Sequence, residues 1–88
     1  MLETVDNNLF TVFPNPVRSG EDLHLRLGNK DNYEVFLYDY KGHVVLHEPS
    51  LALGHNVSIQ IPELPSGMYV VKLLNESGFQ SKLIHILN

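Results

Sequence analysis

The sequence predicts an all-β fold: a small antiparallel β-sandwich of immunoglobulin-like shape with about seven strands. Three observations carry that prediction. Apolar segments recur with turn residues between them, at the spacing of a small sandwich or barrel. Several of these segments alternate apolar and polar residues with a period of two. No segment shows a convincing helical period.

The 88 residues make one domain, and a hydrophobic fraction of 43% is enough for one core. A domain of this size buries only roughly 60–65% of the surface its unfolded chain exposes, so its stability margin is thin. Residues 1–8, Met1 to Asn8, are polar without a period and read as a linker or N-terminal arm. The domain proper is predicted over 9–88.

Leu9 to Phe13 is the first apolar segment. Asp22 to Leu27 alternates, with Leu23, Leu25 and Leu27 on one face and His24 and Arg26 on the other. That is the pattern of a half-buried strand. Tyr33 to Asp39 is apolar on both faces: Tyr33, Val35 and Leu37 on one, Phe36 and Tyr38 on the other. Such a strand is covered on both sides or holds its aromatics at an interface. His43 to His47 is a shorter strand, and Val57, Ile59 and Ile61 alternate with Ser58 and Gln60. Gly67 to Leu74 and Phe79 to Ile86 complete the set.

The connections agree. Asp39-Tyr40-Lys41-Gly42 reads as a tight hairpin turn with Gly42 at positive φ. Asn75-Glu76-Ser77-Gly78 is a second such turn, and Gly28 to Asn32 a looser third. Ser50 to His55 is a longer loop whose Leu51, Ala52 and Leu53 are expected to tuck under one end of the core. Pro62 and Pro65 have no N–H to give a ladder, so they end the strand at Ile61 and bracket a corner. Gly67 then restarts the chain close to neighbouring backbone. Tyr69 is expected to bury its ring and send its hydroxyl to the backbone. The short terminal strands form the edges, where a partner can add a strand. The same exposed edges predict a weak edge-mediated dimer.

Composition excludes several function classes. Net charge is −4, and the six Lys and Arg are scattered, so no basic patch suits nucleic acid. No apolar run approaches the roughly 20 residues of a membrane span. The N-terminus lacks the basic and apolar regions of a signal peptide. There is no Cys for a disulfide or a thiolate metal site.

The residues offer no catalytic, cofactor or metal site. His43 and His47 share a strand face but stand roughly 13 Å apart at ~3.3 Å per residue, too far for one metal. Glu21 and Asp22 are adjacent, so their side chains diverge, and Asp39 reads as a turn residue. Asp31 with Asn29 and Asn32 offers oxygen ligands, yet lacks the Asp-x-Asp repeat and distant bidentate Glu of a calcium loop. Ser66 has no G-x-S-x-G elbow around it. Asn56-Val57-Ser58 and Asn75-Glu76-Ser77 match the glycosylation acceptor, a short pattern common by chance. The eight aromatics suggest a carbohydrate platform, but Trp is absent and most are expected in the core.

Five pieces in fixed order remain: Phe13-Pro14-Asn15-Pro16; Leu23-His24-Leu25-Arg26-Leu27; Val35 through Gly42 to Val45; Leu64-Pro65-Ser66-Gly67-Met68-Tyr69-Val70-Val71-Lys72; and Ser81-Lys82-Leu83-Ile84-His85-Ile86. Together they resemble the type A C-terminal sorting domains of the type IX, or Por, secretion system of Bacteroidetes. The resemblance runs from about Leu9 to Asn88. It implies a signal that directs an N-terminally fused cargo from the periplasm across the outer membrane, to the cell surface or the medium. The implied partners are the outer-membrane translocon and a sortase-like peptidase, which removes the signal and leaves the cargo released or attached to anionic lipopolysaccharide. The cleavage junction falls at or upstream of Met1 to Asn8. Recognition is concentrated in the last strands, here about Gly67 to Ile86, which singles out Gly67, Tyr69, Lys82, Ile84 and Ile86. Pro14, Asn15, Pro16 and Gly42 are expected to hold the shape. The rival readings are an immunoglobulin-like adhesion or carbohydrate-binding module and a structural spacer.

Overall fold

The computed structural model describes residues 10–26, 31–53, 56–75 and 78–88, with the backbone alone for 31–32 and 49–53. The predicted arm at 1–8 lies outside the described residues. So do most of the loose turn at 28–32, the side chains of the predicted 51–53 plug, and Glu76 and Ser77 of the second hairpin turn.

Among the described residues eight strands form: β1 (Thr11–Phe13), β2 (Val17–Arg18), β3 (Asp22–Arg26), β4 (Asp31–Tyr38), β5 (Val44–Leu53), β6 (Asn56–Gln60), β7 (Gly67–Asn75) and β8 (Gly78–Leu87). They make two sheets, one of three strands in the order β1-β3-β6 and one of five in the order β2-β8-β7-β4-β5. All pairs are antiparallel except β2 with β8, which is parallel.

The core lies between the sheets because alternation sends one set of side chains inward from each strand. From the small sheet come Leu23, Leu25 and Ile59, with Phe10 and Ile61 beside them. From the large sheet come Tyr33, Val35 and Leu37 of β4, Tyr69, Val71 and Leu73 of β7, and Ile84 and Ile86 of β8. Val17 closes the side where β2 meets β8.

Two departures from the sequence prediction have plain causes. The eighth strand, β2, has two residues and no alternation to reveal it, and only its pairing with Ile86 and Leu87 makes it a strand. β5 runs on to Leu53, where a loop was expected from Ser50. It lies at the outer edge of its sheet, so Pro49 withholds an N–H that this position does not require. Its pairing with β4 is broken by two register shifts.

Candidate functional site

β8 lies between β7 and the two-residue β2, so it is not the outermost strand along its whole length, as the sequence reading expected of the last strand. The register with β7 sets its faces. Ile86, Ile84, Lys82 and Gln80 stand opposite Gly67, Tyr69, Val71 and Leu73 and look inward. His85, Leu83, Ser81 and Phe79 stand opposite Met68, Val70, Lys72 and Leu74 and look outward.

This placement separates the predicted recognition residues by exposure. Ile84 and Ile86 have no exposed surface. Their side chains fill the core and are unavailable to a partner while the domain is folded. Lys82 sits mid-strand on the inner side, opposite Val71 and partly buried. The side chains that β8 does present are Phe79, 64% exposed, and Leu83, 58% exposed. Sequence reasoning placed both in the last apolar run without separating exposed from buried. The alternation that separates them was legible, but Lys82 and Gln80 on the inner side blur it.

Backbone valence defines the site further. The amide of His85 donates to Oδ1 of Asn15 at 3.0 Å, away from β7. In an antiparallel ladder, alternate residues point their N–H and C=O the same way. Leu83, Ser81 and Phe79 therefore also turn theirs outward. β2 covers the strand at Ile86 and Leu87, and Ser19 N–H donates to Leu87 O at 2.7 Å. Among the described residues, nothing pairs with the backbone edge from Phe79 to Leu83. At that edge, Oε1 of Gln80 is buried and accepts no hydrogen bond from the described residues.

Asn15 thus acts through its side chain, as a cap on β8, and the Pro residues on either side of it follow cis peptide bonds. Gly42 has φ +88°, as the turn requires. There Asp39 Oδ1 accepts from the amides of Lys41 and His43, each at 2.9 Å. The His43 amide is the chief cause holding the Asp39 carboxyl below its ordinary range, with the Lys41 amide and nearby positive charge adding to it. Gly67 opens β7 opposite Ile86, and a Cβ there would meet the Tyr69 ring at 3.9 Å, an ordinary contact.

Tyr69 is buried, as expected, and its hydroxyl donates to Pro65 O at 2.7 Å. Burial, and then the Asp39 carboxylate, raise its pKa above the ordinary value, so the phenol keeps the proton it donates. The bond anchors the corner bracketed by Pro62 and Pro65. Ser19 staples the same corner, accepting from Leu64 N at 2.7 Å and donating to Pro62 O at 3.1 Å. Asn88 does so from the other side, through Ser66 Oγ at 2.8 Å and Leu64 O at 2.9 Å. Sequence reasoning missed Ser19 and Asn88. The Ser19-Gly20 dipeptide was a turn signal, but nothing local reveals partners more than 40 residues away.

The outer side of the large sheet carries the second apolar face of β4, with Phe36 and Tyr38. The Phe36 ring stacks on His47 at 4.4 Å and on Tyr38 at 5.9 Å. Nζ of Lys72 stands 4.6 Å from the ring centre of Phe79, 5.9 Å from Tyr38 and 6.0 Å from Phe36. Met68, Val70 and Leu83 help line an open groove of about 460 Å³ beside Tyr38 and Tyr40. No described element covers this face. His47 is tied to Glu34 at 2.8 Å. No group of three or more His, Cys, Asp or Glu is placed to hold a metal among the described residues.

Comparison with known proteins gives this geometry a family. The chain has no match among curated protein sequences. It is similar in fold to part of PorZ, an essential bacterial surface component of the type IX secretion system of Porphyromonas gingivalis, with a TM-score of 0.65 and 20% identity. That match covers 90% of this chain and 11% of PorZ, so the chain corresponds to a small part of that protein. It is also similar to CopC from Methylosinus trichosporium OB3b, with a TM-score of 0.53, 18% identity and coverage of 89% and 91% of the two chains. A third similar structure is the soluble domain of PmoD from Methylocystis sp. ATCC 49242, with a TM-score of 0.57, 17% identity and 88% of each chain covered. At these identities the likeness is one of fold. The sequence model described as "Secretion system C-terminal sorting domain" matches residues 11–86, nearly the whole described sandwich. The chain belongs to the family of secretion system C-terminal sorting domains.

Proposed function

We propose that this domain is a type A sorting signal of the type IX secretion system of a Bacteroidetes bacterium. It directs an N-terminally fused cargo across the outer membrane and is then removed by a sortase-like peptidase. The observation that carries the reading is the family match over residues 11–86. The fold likeness to part of a type IX surface component supports it. In this reading the domain is read, not reactive, and it has no catalytic role.

The physical features suit a tag. The entry and exit of the chain meet on one side, where Asn15 caps β8 and Ser19 bonds Leu87. What β8 offers a translocon is an unpaired backbone stretch flanked by Phe79 and Leu83, with Lys82 behind it. Ile84, Ile86 and Tyr69 serve recognition indirectly, by holding that strand in place.

Fusion to a periplasm-directed fluorescent protein, in a bacterium with the type IX system, tests the reading. Surface or medium fluorescence is expected, with a mass loss on the exported cargo equal to the domain. Export without that mass loss would overturn the peptidase step alone. Retention of a folded fusion in the periplasm would overturn the sorting role.

An adhesion or glycan-binding module ranks second, on the aromatic face of Phe36, Tyr38 and Phe79. The Lys72 ammonium stands over those rings, where a sugar would stack. A glycan screen that finds no ligand would retire it.

A further inference from the structure

The free edge of β8 is self-complementary. Its outward backbone groups belong to Phe79, Ser81 and Leu83, three alternate residues centred on Ser81. If a second copy of β8 is laid antiparallel on this edge with a two-fold axis at Ser81, Ser81 faces its own copy. Leu83 then faces Phe79 of the partner copy, and Lys82 faces Gln80. Every outward residue meets an outward residue, so all three pairs are of the type that exchanges both N–H···O bonds.

The side chains agree with that register on both faces. On the outer face, Leu83 and Phe79 are well exposed and apolar. The pairing covers each with the other, twice. On the inner face, Oε1 of Gln80 is the buried acceptor without a hydrogen bond. The pairing brings it the ammonium of Lys82, which has no ion pair among the described residues. The two Lys82 side chains lie on a diagonal, about 7–8 Å apart at Cβ, each directed at its own Gln80 partner. A one-residue slip would set outward backbone against side-chain-only positions and lose both matches.

Geometry also limits the length. Asn15 and β2 occupy the edge from His85 onward, so a partner strand fits opposite Phe79 to Leu83 and then meets them. The other edges suit pairing less well. β1 has three residues, β5 contains Pro49 and two register shifts, and β6 turns Asn56, Ser58 and Gln60 outward.

We propose that two copies of this domain pair edge to edge through Phe79–Leu83 of β8, antiparallel and in register about Ser81, joining their five-stranded sheets into one. The pairing is isologous, so it closes as a dimer and does not propagate. Five residues a side is a small interface, which sets the expected Kd at about 10 µM to 1 mM. The proposal does not depend on the sorting role. Pairing covers the same edge that a translocon strand would use, so a self-paired domain is not available to one.

Register-specific crosslinking tests it in the purified 88-residue chain, which has no native Cys to interfere. The two-fold axis places Ser81 about 5.5 Å from its copy at Cα, within disulfide reach. His85 also looks outward and is exposed, but in this register it lies eight residues from its copy, about 27 Å. At 100 µM and equal oxidant, Ser81→Cys is expected to form covalent dimer at least tenfold faster than His85→Cys. Equal rates, or a faster His85→Cys, would overturn the register. Sedimentation of Ser81→Pro is the second arm, since that amide faces away from β7 and the change costs no internal ladder bond. Wild type is expected to shift from monomer toward dimer between about 5 µM and 1 mM, while folded Ser81→Pro stays monomeric. Wild type monomeric at 1 mM would overturn the proposal. Should Ser81→Pro fail to fold, the crosslinking ratio and the wild-type sedimentation still decide.

Discussion

Ile84 separates a side chain that builds the strand from one that a partner reads. It has no exposed surface, stands opposite Tyr69 in the β7–β8 ladder and belongs to the core. Truncating a fully buried Ile to Ala costs about 2–5 kcal/mol, from lost burial and the cavity left behind. For 88 residues the whole folding stability is roughly 4–13 kcal/mol, so the change removes a large share of it. At a urea slope of about 1 kcal/mol/M, a loss of 3 kcal/mol moves the unfolding midpoint down by about 3 M. Leu83, its immediate neighbour, is mostly exposed, so Leu83→Ser should stay within about 0.5 kcal/mol and about 0.5 M. Urea titration followed by far-ultraviolet circular dichroism measures both. A midpoint for Ile84→Ala within 0.5 M of wild type would refute the core assignment. Ile84→Val, expected to cost only about 0.5–1.5 kcal/mol, extends the test to function. It should remain folded and support normal export of a fused cargo. A folded Ile84→Val that is not exported would show that the side chain itself is read.

Four further outcomes follow from the same geometry. Tyr69→Phe removes the bond to Pro65 O and should cost about 1 kcal/mol, lowering the melting temperature by about 4–8 °C; an unchanged melt would deny that bond a role in stability. Ser19→Ala leaves the Leu64 amide without its partner, for a loss of about 1–3 kcal/mol in the same melt, and a change under 0.3 kcal/mol would contradict it. Gly42→Ala meets no steric obstacle but holds φ at +88°, so it should cost about 1–2 kcal/mol, where a stabilised variant would contradict the turn. The Asp39 carboxyl has a depressed folded pKa, so its contribution is present above the unfolded value of about 3.9 and is lost as pH falls through the folded one. Asp39→Asn should therefore lower the melting temperature at pH 6, with the gap to wild type closing below pH 4; a gap unchanged at pH 2 would contradict the assignment.

Period-two patterning carried most of the architecture. The alternation over Asp22 to Leu27 and over Val57 to Ile61 led directly to β3 and β6, where one face meets the core and the other meets water. The two-sided apolar pattern of β4 gave notice of an aromatic outer face, where Phe36 and Tyr38 stand partly exposed with no described element over them. β2 was hidden because two residues contain no period, and its existence depends on Leu87, far along the chain. The extent of β5 was hidden because Pro49 argues against a strand unless one knows that it lies on an edge. The candidate site divided in the same way. Tyr69 and Gly42 were legible from local chemistry, a buried phenol and a turn glycine. Ile84 and Ile86 were singled out through family resemblance, and the structure buries both in the core. The open stretch from Phe79 to Leu83 depends on where β2 stops covering β8, which is a long-range fact.

Export of a fused cargo is the most direct test of the central claim. A periplasm-directed fluorescent protein carrying this domain at its C-terminus should appear at the surface or in the medium of a bacterium with a type IX system. The same fusion ending before Ser81 should stay in the periplasm. Periplasmic retention of both, with the full-length domain shown by protease resistance to be folded, would contradict the claim.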